Sequence, residues 1–147
     1  RLSRAPTRAE LRRAELEGGA FAVRQNAVIA EQLLGHPIEE LRAVGGGTKS
    51  RLWGQIKADV LGKRVRTLRF RETAALGAAL LGGIAAGVYT DYREAVRAAA
   101  PTDGDLYEPR WPIHAHYNQL YAIYQSLYPT LSDTYRRLAE VPNWGQT

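Results

Sequence analysis

The stretch Ala43-Val44-Gly45-Gly46-Gly47-Thr48-Lys49-Ser50-Arg51-Leu52-Trp53 restricts the fold of this chain more than any other. An aliphatic run enters three glycines, and a hydroxyl residue then opens an amphipathic segment. Translated physically, this is a strand, a tight turn of bare backbone and a capped helix start. A ligand can come close to a main chain that lacks Cβ atoms. The first N–H groups of a helix add unpaired donors and a partial positive charge, which suit phosphate. A nucleotide is therefore the first ligand class to consider.

The flanks extend this unit. In the helix Ser50 to Leu61, residues Leu52, Trp53, Ile56, Val60 and Leu61 fall on one side, with Gln55, Lys57 and Asp59 more exposed and Gly62 as the stop. Arg64 to Phe70 alternates through Val65, Thr67-Leu68 and Phe70 and reads as a second strand. Strand, helix and strand in this order predict a right-handed parallel unit. Upstream, Thr7 and Glu10 form a capping box, and Leu11, Ala14, Ala20, Phe21, Val28 and Leu33-Leu34 carry a helical stripe to Gly35. Gly18-Gly19 inside that stripe costs a helix roughly 1 kcal/mol per residue, so the pair predicts close packing against a neighbour. Arg4, Arg8 and Arg12 share a face, either as an anion-binding stripe or, by default, as a solvated surface.

Downstream, Thr73 to Val88 reads as a buried helix of small residues that can sit close to a sheet or ligand, and Asp91 caps a short helix to Ala99. Pro101 to Pro112 is a polar connector. Tyr117, Tyr121, Tyr124 and Tyr128 fall on one face of a last helix, a spacing typical of core or interface. Pro129 is expected to kink or end that helix. Residues 1–140 form one domain and 141–147 a loose tail.

Composition narrows the classes. At 147 residues, with 45% hydrophobic and 24% charged residues, this is an ordinary globular domain with room for a core. The net charge of +5 permits an anionic partner, but no nucleic-acid motif or interleaved aromatics accompany it. Without cysteine there is no disulfide framework, thiolate metal site or cysteine nucleophile, which fits a cytoplasmic setting. The uncharged run Thr73 to Thr90 is too weakly hydrophobic for a membrane span. His114 and His116 stand two apart without a nearby carboxylate, so metal binding is not expected, and His36 before proline is a turn residue. No serine acquires a histidine base and an orienting acid.

The glycine loop itself fails two familiar tests. A P-loop needs Gly-Lys-Ser/Thr and an earlier glycine; here Thr48 precedes Lys49, and Arg42 holds the earlier position. A dinucleotide fingerprint starting at Gly45 would need a third glycine where Ser50 stands. What remains is a resemblance. Val44 to Ser50, followed by Leu52-Trp53, Gln55-Ile56 and Ala58-Asp59-Val60-Leu61-Gly62, resembles the adenine-side motif of the FGGY carbohydrate kinases, the xylulokinase-like pentulose kinases above all. Glu10-Leu11, Ala14, Leu16-Glu17-Gly18 and Ala20-Phe21 resemble the tail of the family's second signature. Glu72 with Ala74 to Ala79 resembles its small-residue helix, and Tyr117, Tyr121, Leu127-Tyr128-Pro129 and Leu131 its terminal helix. Glu15 departs from the signature, as does Arg1, which stands where a glycine is expected; the second departure suggests that the chain was cut inside it.

The resemblance implies a helix-rich α/β fold, an incomplete actin-like (RNase H-like) ATPase domain with a short parallel sheet flanked by helices and its first strands missing. By the same resemblance, Gly46, Gly47 and Ser50 line the adenosine of ATP and Gly45 shapes the turn. Thr48 and Lys49 sit at the rim, where Lys49 either reaches ribose or phosphate or stays in solvent. Trp53 either packs the helix or stacks on the base, with packing as the default. Such kinases transfer the γ-phosphoryl of MgATP to a sugar hydroxyl between two domains. The catalytic base and sugar pocket belong to the segment before this one, so no catalytic residue and no protein ligand for Mg2+ are expected here. Asp59, Asp91, Asp103, Asp105 and Asp133 read as caps, turns or surface. The implied partners are the N-terminal domain of the same enzyme and a sugar bound outside this segment, with a homodimer as a further association and neither nucleic acid nor membrane. The competing reading is a non-catalytic assembly module that keeps the kinase half-fold.

Overall fold

The computed structural model describes residues 5–68, 72–99 and 104–141. Helix α1 (Arg8–Leu34) begins on the expected capping box, in which the Thr7 hydroxyl accepts from the Glu10 N–H and the Glu10 carboxylate accepts from the Thr7 N–H, and it ends at Gly35 with φ 72°. The Gly18-Gly19 pair does not break it. Strand β1 (Glu40–Ala43) leads through a 3-10 turn (Gly46–Lys49) into α2 (Arg51–Leu61), and β2 (Arg64–Thr67) follows. After α3 (Thr73–Ala85) and α4 (Tyr92–Ala99), β3 (Leu106–Tyr107) precedes the terminal helix α5 (Trp111–Ala139).

The β1–α2–β2 unit has its two strands parallel, with Leu41 opposite Val65 and Ala43 opposite Thr67. A third strand comes from the stretch read as a polar connector: β3 adds antiparallel to β2, pairing Tyr107 with Val65. The sheet is therefore mixed, in the order β1-β2-β3. Two residues are too short for alternation to register against surrounding turn residues. Arg66 grips Glu40 across the parallel pair at 2.9 and 3.1 Å, and that hydrogen bonding holds the Glu40 carboxyl below its ordinary pKa.

Helix α2 is the hub. Ile56, Val60 and Leu61 meet Ala20, Phe21 and Ala27 of α1 and Tyr117 and Tyr121 of α5. On the opposite side Ala58 meets Val65 and Tyr107 of the sheet. A helix with one buried stripe was expected; this one is covered on two sides. The tyrosine stripe divides accordingly, with Tyr117 and Tyr121 buried and Tyr128 71% exposed. Arg24 ties the three helices by donating to the Val60 carbonyl at 3.0 Å and to Asn118 at 2.6 Å while lying over the Tyr121 ring.

One expectation fails in the second half. The small-residue helix stops at Ala85, where Gly87 takes φ 75°, and only its Leu80 is buried. Instead of lying against the sheet it packs chiefly on α4; a Cβ added at Gly77 or Gly82 would meet open space, whereas one at Gly83 would meet the Tyr89 ring at 2.9 Å. Of the two outcomes expected at Pro129, an end is not seen: α5 runs on through Leu131 to Leu138 and stops at Ala139, with Pro129 on an exposed helix face where water can serve the carbonyl left without a donor. Phe70, at the end of the expected second strand, and the tail from Pro142 onward lie outside the described residues. Among the described residues no helix is long and apolar enough to cross a membrane.

Candidate functional site

The three glycines are used differently. Gly45 has φ 90°, in the region that favours glycine, and turns the chain out of β1. Its carbonyl accepts from the Thr48 N–H at 3.1 Å and from the Thr48 hydroxyl at 2.7 Å, which closes the turn. Gly47 makes room for an aromatic ring, since a Cβ there would stand 3.2 Å from Cδ1 and Nε1 of Trp53. Gly46 needs neither. Its φ is not positive, and a Cβ added to it would meet no atom within 4 Å. The bare backbone at Gly46 looks into open space.

Ser50 caps α2, its hydroxyl oxygen accepting from the Trp53 N–H at 3.2 Å; its own O–H proton is not used by that bond. Lys49 ends the 3-10 turn and is exposed. The structure thus gathers Gly45, Gly46, Gly47, Thr48, Lys49 and Ser50 into one turn at the N-terminus of α2, and the hydroxyls of Thr48 and Ser50 serve the turn itself. Trp53 packs, as expected by default. Its indole is half-buried at the edge of the main core, with the Lys57 ammonium 4.5 Å from the ring centroid. The close packing expected of the glycine pair is met at Gly19, where a Cβ would stand 3.2 Å from Cη2 of Trp53, whereas a Cβ on Gly18 would meet no atom within 4 Å.

Asp59 corrects the sequence reading. Expected on the exposed side of α2, it is 1% exposed. The Arg110 side chain reaches its Oδ2 from Nη2 at 2.5 Å and Nε at 3.1 Å, while Oδ1 accepts from the Arg110 N–H at 2.9 Å and from Gln55 at 3.0 Å. Burial alone would raise this carboxyl; the hydrogen bonds from Arg110 and Gln55 outweigh it and hold the pKa below the ordinary value. His114 continues the seal, its Nδ1 lying 2.8 Å from the Asp59 carbonyl and its ring covering Gly62. The other aspartates keep humbler roles. Asp91 caps α4 by accepting from the Glu94 N–H, the Asp105 carbonyl takes the Thr67 N–H, and Asp133 meets Arg136 on the surface. Asp103 lies outside the described residues.

Arg8 and Arg12 are exposed, beside a shallow recess of about 380 Å³ with Leu16 and Leu52, and Arg4 is not described. Among the described residues no three acidic or histidine side chains gather to hold a metal ion.

The turn and the helix it opens lie within the part of the chain, residues 2–86, that matches the model of the C-terminal domain of the FGGY family of carbohydrate kinases. The chain belongs to that family. Among FGGY relatives, a xylulose kinase of Staphylococcus epidermidis is 30% identical over 83% of this chain, and a glycerol kinase of Trichlorobacter lovleyi is 41% identical over 65% of it. The crystal structure of a xylulose kinase from Rhodospirillum rubrum superposes with a TM-score of 0.74 at 34% identity, covering 92% of this chain and 27% of that one. The FGGY match bears out the helix-rich, actin-like reading of the fold. The chain spans about a quarter or less of these relatives, 24% of the staphylococcal protein and 19% of the glycerol kinase.

Proposed function

We propose that this chain is the nucleotide-binding part of a sugar kinase, with Gly46 and Gly47 presenting backbone to the adenosine of ATP and Ser50 at the edge of the same shelf. The observation that carries the reading is Gly46. Gly45 is explained by its φ and Gly47 by Trp53, but no feature of the fold requires a missing Cβ at Gly46. A close-approaching ligand does. Lys49 is exposed at the end of the turn, and in this reading it meets ribose or phosphate. In the full enzyme the γ-phosphoryl passes to a sugar hydroxyl, for which a pentulose such as xylulose is the candidate acceptor. The base and the sugar pocket come from the N-terminal domain of the same enzyme. Mg2+ arrives on the phosphates of ATP in this reading.

Titration calorimetry of ATP into this chain tests the proposal. Because valine at position 46 meets open space, Gly46→Val should leave the fold intact and abolish binding. Binding that survives the substitution refutes the shelf. Absence of ATP binding by the unsubstituted chain, together with concentration-dependent oligomerisation, favours the assembly-module reading. An apolar groove of about 470 Å³ between α1 and α5, lined by Ile29, Leu127, Tyr128 and Leu131, gives that alternative its surface.

A further inference from the structure

Two separate glycine features of the sequence, one in the middle of α1 and one in the turn, meet at the two ends of a single indole. A Cβ on Gly19 would lie 3.2 Å from Cη2 and 3.7 Å from Cζ2 of Trp53, on the outer edge of the six-membered ring. A Cβ on Gly47 would lie 3.2 Å from Cδ1 and Nε1, on the pyrrole edge. The Lys57 ammonium sits over the ring face. An indole has no internal torsion, so it transmits a push on one end to the other. Its fit is close at both ends, because a Cβ at either glycine would come within 3.2 Å of it.

We propose that Trp53 is a positioning residue that couples α1 to the glycine turn, fixing the height of the Gly46 backbone by wedging between Gly19 and Gly47. This rests on the adenosine-shelf reading for its bearing on the ligand, though the mechanical coupling stands without it. The coupling also accounts for a helix that tolerates Gly19 in its interior. Alanine is the better helix former, and Gly19 has no positive φ to protect; what an alanine methyl would disturb is the indole.

The test is a double-mutant cycle on this chain, read by 1H–15N amide shifts and by ATP titration. Gly19→Ala should keep the helical circular dichroism, shift the amides of Gly46 to Lys49, and weaken ATP by about three- to tenfold, in keeping with the effect of small displacements on a positioned site. In a Trp53→Phe background, whose shorter ring no longer reaches both glycines, Gly19→Ala should change turn shifts and affinity by less than about twofold. Turn amides that do not move in Gly19→Ala, or that move equally in both backgrounds, overturn the coupling. If the unsubstituted chain binds no ATP, the shelf reading fails, and the amide shifts alone still decide the coupling.

Discussion

Replacing Arg110 with alanine probes the least expected contact in the fold. Asp59 is 1% exposed and Arg110 58% exposed, so the cost of their pairing falls on the carboxylate. Alanine keeps the backbone N–H bond to Oδ1, and Gln55 stays in place, but Oδ2 loses both of its donors, at 2.5 and 3.1 Å. Removing one partner of a buried pair costs about 3–5 kcal/mol. With Oδ1 still served by two donors, the cost falls below that range, toward the roughly 1–3 kcal/mol of a buried group left short of partners, and we expect about 2–3 kcal/mol. For a domain of this size that lowers the melting temperature by about 5–10 °C. The pH dependence carries the sign. Asp59 is held below its ordinary pKa when folded, so its contribution is present above the unfolded value and is lost as pH falls through the folded one. The gap between the two proteins should be widest near pH 7 and narrow toward about pH 3. Circular dichroism melts across that range measure it. An equal gap at both ends, or a shift below about 2 °C at neutral pH, would mean that Arg110 does not hold the Asp59 carboxylate in its charged form.

Gly54→Ala sets two effects against each other. Helix propensity favours alanine by about 1 kcal/mol, but its Cβ would stand 2.5 Å from Cε2 of Tyr107, and overpacking of that kind costs about 1–3 kcal/mol. A lower urea midpoint is expected, and a raised one would mean that Tyr107 swings aside freely. Pro129→Ala restores an N–H on an exposed turn of α5, so hydrogen exchange across residues 130–138 should slow by at least about tenfold, given the roughly 3 kcal/mol that proline costs inside a helix. Unchanged exchange would show that the last turns fray for another reason.

The first half of the chain was legible because its signals are local. Thr7 and Glu10 satisfy each other within one turn, Gly35 and Gly62 stop their helices, and the strand–glycine–helix order implies the parallel pair. Asp59 was misjudged because its partner lies 51 residues away, and on a helical wheel a lone aspartate signals solvent. Gln55, one turn earlier and bonded to Asp59, was the only local hint. β3 was missed because two residues carry no period. For α3 the composition was read correctly and its surroundings were not: small residues announce that something can come close, without saying what. The site divides the same way. The turn was visible in three consecutive glycines, while the separate reasons for Gly45, Gly46 and Gly47 required the ring of Trp53 to be placed.

β2 and β3 lie side by side, with the Thr67 N–H donating to the Asp105 carbonyl at 2.9 Å, so the chain leaves the sheet after Thr67 and returns to the same spot. What lies between is a detour, and among the described residues it supplies none to either core cluster. Its buried side chains, Leu80 and Ala95, belong to α3 and α4. Closing a loop of about 38 residues costs about 2 kcal/mol more than closing one of about four. A hairpin spliced in its place would thus keep every described member of both cores and make the chain easier to fold. What such a deletion variant lost would be whatever α3 and α4 do beyond holding the domain together.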